Sequence, residues 1–140
     1  MKVMTVNGPI KPDELGITMT HEHTIADLRH WGYDGVLDDV DLAIDELKTY
    51  KDVGGNSIVD VTNACMGRDA QSLRKISQKT GLHIIAATGY YTEPYYPNEV
   101  YRLGTNALAD VMIAELDVGI DNTDIKAGII GAAITFTGIL

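Results

Sequence analysis

The sequence predicts an α/β fold built from parallel strand-then-helix units, and three observations carry the prediction. Short apolar, β-branched runs alternate four times with stretches of helical character. The strand runs are apolar throughout rather than alternating, which suits strands of a parallel sheet covered by helices. Turn-forming residues punctuate the units, and neither a low-complexity segment nor a domain linker interrupts them.

The first strand is read from about Ile17 to His23 in "LGITMTHEH", as a buried strand preceded by the turn-forming "NGPIKPDE". "DDVDLAIDELKTYKDVGG" follows as an amphipathic helix. Val40, Ile44 and Leu47 fall at helical spacing, acids crowd the first turn, and Gly54-Gly55 stops it. "NSIVDVTN" is the second strand, and "GRDAQSLRKISQKTG" the second helix, with Leu73 and Ile76 inward and Gly81 just past its end. "LHIIAATG" is the third strand. After the loop "YYTEPYYPNEVYRLGTN", a helix from about Ala107 to Val118 leads to the fourth strand, "DIKAGIIGAAIT".

Four such units in 140 residues, with the last helix missing, amount to half of an eight-stranded βα barrel, which takes about 250 residues. The expectation is therefore one partial-barrel domain over residues 1–140, the first half of a TIM-type (βα)8 barrel. A hydrophobic content of 45% agrees with a real core. An open four-stranded parallel sheet leaves two edge strands exposed, which favours self-association.

Twenty acidic residues against eleven basic give a net charge of −9, which repels phosphate backbones and anionic membrane surfaces and argues against a nucleic-acid partner. Cys65 is the single cysteine, so no internal disulfide asks for an oxidising compartment, and the cytoplasm is expected. "MKVMTVNGPI" has no sustained apolar core and does not read as a secretory signal. "AGIIGAAITFTGIL" runs fourteen residues without a charge, but three glycines break it and it is short of the roughly 20 residues of a membrane span. It reads as a buried strand and its exit.

His21 and His23 stand two apart on a strand, so alternation points both to one side and Glu22 to the other. Two imidazoles on one side can share an ion, and nitrogen donors suit zinc and similar divalent metals. Spacing alone leaves a second account open, in which carbonyls or water satisfy both rings. Asp69, just before "AQSLRKI", reads as a helix cap, while Arg68 beside it could line the barrel mouth. Cys65 reads as a buried thiol. His30 and His83 lack ligand-like neighbours, and the acidic pairs in "DGVLDDVD" and "DELKTYKD" read as a solvated helix face.

"VNGPIKPDELGITMTHEHTIADL", "GGNSIVDVTNACMGRDAQSLRKISQKTGLHIIAATGYY" and "IAELDVGIDNTDIKAGIIG" together resemble the amino-terminal half of the phosphotriesterase-related branch of the amidohydrolase superfamily. The strand-end His-x-His, the "GRD", the "TGYY" and the "AGIIG" come in order at that family's spacing. The resemblance implies a metal-dependent hydrolase, with two divalent ions, zinc first among them, activating a water to attack an ester, lactone or phosphotriester. It implies that His21 and His23 ligate the more buried metal and that Tyr91 stands on the substrate side. A bridging carboxylate is expected at the end of the fourth strand, where this chain has Ala132. The family's later ligands, two histidines and an aspartate, come from strands beyond residue 140. The chain by itself is therefore expected to hold metal weakly and to be inactive.

The other functional class open to this sequence is a non-catalytic remnant or assembly module, pairing through its sheet edges as a homo-oligomer. A third possibility is a complementing half-barrel chain that supplies the missing units. Replacing His21 and His23 separates the first class from the second, because only a hydrolase half needs them.

Overall fold

A computed structural model describes residues 1–29, 34–93 and 95–131, and the structural statements below concern these residues. The chain opens with an antiparallel hairpin that its sequence did not announce, β1 (Val3–Thr5) and β2 (Gly8–Ile10). Its tip turns under the sheet, where the Val6 amide donates to Ile84 O at 2.9 Å and the Asn7 side-chain amide donates to Ser77 Oγ at 2.8 Å. Val6, 1% exposed, thereby closes the amino-terminal end of the sheet.

The chain continues through β3 (Ile17–Glu22) and a second small hairpin, β4 (Ala26–Asp27) with β5 (Val36–Leu37). Next come α1 (Val40–Asp52), β6 (Gly55–Asp60), α2 (Ala70–Thr80) and β7 (His83–Thr88). Two helices, α3 (Asn98–Arg102) and α4 (Thr105–Asp117), precede β8 (Ile129–Ile130). The four main strands lie in the order β3-β6-β7-β8, all parallel, as the half-barrel expectation required.

Local chemistry explains the boundaries. The Asp39 carboxylate accepts from the Asp41 and Leu42 amides and starts α1, and Asp69 does the same for α2 through the Gln71 and Ser72 amides. Gly81 ends α2 in the left-handed region at φ 71°, its N–H donating to Ser77 O. Gly55 is required by a close approach, since a Cβ there would lie 2.4 Å from the Tyr50 ring. That ring crosses to the first strand, where the Tyr50 hydroxyl donates to Ile17 O at 2.9 Å.

The core lies between helices and sheet. Ile44, Leu73 and Ile76 meet Ile84 and Ala86 there, with Val40 and Leu47 packed at its margin. Burying each large aliphatic side chain contributes roughly 1.5–3 kcal/mol.

Three expectations need correction. β3 is not a buried strand: among the described residues it pairs only with β6, and Ile17 stays 65% exposed because nothing flanks its other edge. The last helix begins at Thr105, and the loop before it holds α3. "DGVLDDVD" contains β5 and the Asp39 cap rather than a helix face. Of the fourth strand, only Ile129–Ile130 falls within the described residues, while Ala132 and His30 lie outside them. No helix among the described residues is long and apolar enough to cross a membrane.

Candidate functional site

Because β3, β6 and β7 run parallel, their carboxyl ends open on one side of the sheet, the side on which barrel enzymes carry their chemistry. His21, Glu22 and His23 come from the end of β3, Asp60 and Thr62 from β6, and Tyr90 and Tyr91 from the segment after β7.

The His21 and His23 rings lie edge to face with centroids 5.6 Å apart, so the two imidazoles are neighbours at the end of β3. Metal–nitrogen bonds of about 2.1 Å at a tetrahedral angle put two ligating ring centroids roughly 5 Å apart. The centroid spacing of this pair lies near that value. Among the described residues no group of three or more His, Cys, Asp or Glu side chains is placed to hold a metal, so a third ligand does not come from them.

His21 is exposed and His23 half-buried. The register of β3 on β6 is irregular between Met19 and Glu22, and the strand ends before His23. Strict alternation therefore lapses there, and Glu22 and His23 both border one groove of about 280 Å³, floored by Met19, Ile58 and Leu47. Burial lowers the His23 pKa below its ordinary value and His21 lowers it further, while Asp60 and Glu22 act in the opposite direction. The ring is not loose, because its Nδ1 is hydrogen-bonded to Thr62 Oγ1 at 3.0 Å.

Asp60 and Thr62 were not singled out from the sequence, although two polar residues alternating with valines in "IVDVT" mark a strand face that carries more than packing. Both are fully buried. Asp60 Oδ2 accepts from the Thr24 amide at 2.7 Å, and Oδ1 accepts from the Thr62 amide at 3.0 Å.

Arg68 does not line the mouth. Its side chain, 1% exposed, is locked between two carboxylates, with Nη2 donating to Glu115 Oε1 at 2.7 Å and to Asp121 Oδ1 at 2.8 Å. Nη1 donates to Ala87 O at 2.7 Å, and Thr88 Oγ1 donates to Glu115 Oε2. Asp121 Oδ2 accepts from the Ala70 amide, which ties α2 to the same cluster. Burial disfavours the guanidinium charge, and the hydrogen bonds that it donates to Glu115 and Asp121 more than offset this, so the Arg68 pKa is raised. Nothing in the sequence could pair Arg68 with residues 47 and 53 positions away; only the fold does.

Tyr91 stands half-buried just past β7. Its neighbour Tyr90 is buried, and the Tyr90 hydroxyl and Asn63 Nδ2 have no hydrogen-bond partner among the described residues. Cys65 is half-buried against the Tyr90, Tyr96 and Leu108 cluster, and burial pushes its thiol pKa up, which agrees with an inert packing role. His83 opens β7, far from the strand ends that carry the site.

The profile described as Phosphotriesterase family matches residues 1–140. The N-acetyltaurine hydrolase of Danio rerio is 32% identical over 93% of this chain, which spans 46% of that protein. A resiniferatoxin-binding protein from Rhodobacter sphaeroides superposes with a TM-score of 0.89 at 36% identity, over 93% of this chain and 45% of its own. A lactonase from Listeria monocytogenes superposes with a TM-score of 0.84 at 25% identity, over 92% and 46% respectively. The chain thus spans a little under half the length of the relatives it matches. By profile, identity and fold together, this chain belongs to the phosphotriesterase family.

Proposed function

We propose that these residues form the amino-terminal half of a metal-dependent hydrolase in which a metal-activated water attacks a small ester, lactone, phosphotriester or acylated amine. The observation that carries the reading is the His21–His23 pair at the end of the first parallel strand, with rings spaced for one ion. A divalent ion bound there, zinc first among the candidates, would polarise the substrate oxygen and lower the pKa of its water. His21 and His23 would hold it, and Tyr91 would stand against the substrate. The relatives named N-acetyltaurine hydrolase and lactonase support the acylated-amine and lactone classes, which share attack at an acyl carbon, whereas a phosphotriester would be attacked at phosphorus. The cytoplasm is the compartment in this reading, since the single thiol needs no oxidising surroundings.

Two histidines are two of the three protein ligands that a catalytic zinc normally keeps, so in this reading the further ligand comes from outside the described residues. Elemental analysis after purification without chelator tests the reading, comparing the native chain with the His21→Ala, His23→Ala double variant. Metal present in the first and absent from the second is expected; equal metal content in both refutes it.

The free edge of β3 favours a second reading, in which the half-sheet pairs with another copy or with a complementing half-barrel chain. Ile17 on that edge strand is 65% exposed. Light scattering after gel filtration distinguishes a monomer from a dimer directly.

A further inference from the structure

We propose that Thr62 and Asp60 form a clasp that positions the His23 imidazole, with Thr62 Oγ1 engaging Nδ1 so that Nε2 is the nitrogen presented to an ion. The inference rests on the metal reading above and adds to it which ring nitrogen ligates and what holds it.

Thr62 is fully buried, so its hydroxyl has no competing water, and Nδ1 of His23 lies 3.0 Å from it. A ring with one nitrogen already occupied inside the protein can give only the other to a metal, and an outer hydrogen bond of this kind fixes the ring orientation. When Nε2 ligates, Nδ1 must carry the proton and donate to Thr62 Oγ1. A threonine oxygen can accept that bond, and no histidine or carboxylate is needed for it.

Asp60 makes the arrangement rigid. Its two carboxylate oxygens hold the amides on both sides of the His23–Thr62 contact, Thr24 directly after the histidine and Thr62 itself. The ladder bond from the Val61 amide to Glu22 O, 2.9 Å long, closes the same ring of contacts from the backbone. Two strand ends are thereby locked at the point where the β3 ladder stops and the chain would otherwise fray. A buried carboxylate that accepts from two backbone amides and faces no basic side chain in either bond is costly to bury for packing alone. Its placement is explained if the geometry of His23 is what it protects.

The experiment uses the full chain and Co2+ alone as the probe, followed by its visible absorption, with the ring tautomer of His23 read by long-range 1H–15N NMR. Four variants are compared with the native chain: Thr62→Val, Thr62→Ser, Asp60→Asn and His23→Ala. In the Co2+-free native chain the His23 ring is expected in one tautomer, with Nδ1 shielded by the Thr62 bond. Thr62→Val should give a mixture of tautomers and a Co2+ affinity on the order of tenfold weaker, and Thr62→Ser should restore both. Asp60→Asn, which keeps the shape but turns one acceptor into a donor, should weaken Co2+ binding several-fold while far-ultraviolet dichroism stays native.

The proposal is overturned if Thr62→Val keeps the native tautomer and affinity while His23→Ala loses binding, because the ring then orients itself without the clasp. If native chain and His23→Ala bind Co2+ alike, or neither binds it, the metal reading itself falls and this inference falls with it.

Discussion

Replacing Arg68 by methionine should destabilise the fold by about 3 kcal/mol, the low end of the range for removing one partner of a buried ion pair. The low end applies because Glu115 and Asp121 keep side-chain exposures of 19% and 26%, which lets water reach the carboxylates left behind. Arg68 itself is 1% exposed, so methionine can fill the space and the cost comes from the unpaired acceptors rather than a void. Ala87 O, Glu115 and Asp121 each lose a donor. In urea, with a slope of roughly 2 kcal/mol/M, the midpoint should fall by about 1.5 M. Arg68→Lys should fall between, since a point charge cannot reach both carboxylates and a carbonyl in the forked geometry of a guanidinium. The variant carrying Arg68→Met with Glu115→Gln should recover part of the loss by removing one stranded charge. A midpoint shift below about 0.3 M in Arg68→Met would show that the cluster is electrostatically neutral overall and that the strand end is held by packing alone.

Two further outcomes follow from local chemistry. Asp69→Ala removes the acceptor of the Gln71 and Ser72 amides, each at 3.1 Å, and should cost about 1 kcal/mol in thermal or urea unfolding, with Asp69→Asn nearly neutral. The His23 pKa is lowered in the folded chain, so the unfolded chain takes up its proton first as pH falls. Its contribution to stability is complete above the unfolded value near 6.5 and is lost as pH falls through the lowered folded value; in the presence of a chelator, His23→Gln should flatten the urea midpoint across that window.

The parallel order β3-β6-β7-β8 was legible from the sequence because each strand and helix is specified by nearby residues. Apolar runs, the caps Asp39 and Asp69, and the left-handed Gly81 act over one or two turns of chain, and the inward faces of Leu73 and Ile76 follow from helical spacing. His21 and His23 were legible for the same reason, since two residues apart on one strand is a local relation. The hairpin at Val3–Ile10 escaped notice because its turn, Val6-Asn7, carries a weak signal, and its purpose lies in a bond to Ile84 far along the chain. The clasp of Asp60 and Thr62 on His23 spans 36 to 39 residues, and the Arg68 cluster spans up to 53. Such contacts are settled by strand register and by which end of the sheet a loop reaches, not by neighbouring residues. By itself the sequence determined the main parallel strands, the long helices between them, their order, and the two histidines at the first strand end. Only the tertiary structure decided that β3 is an exposed edge, that Arg68 is buried between two carboxylates, and which nitrogen of His23 is already occupied. Each of those depends on what lies beside a residue in space, and pairing over long stretches of chain is not encoded locally.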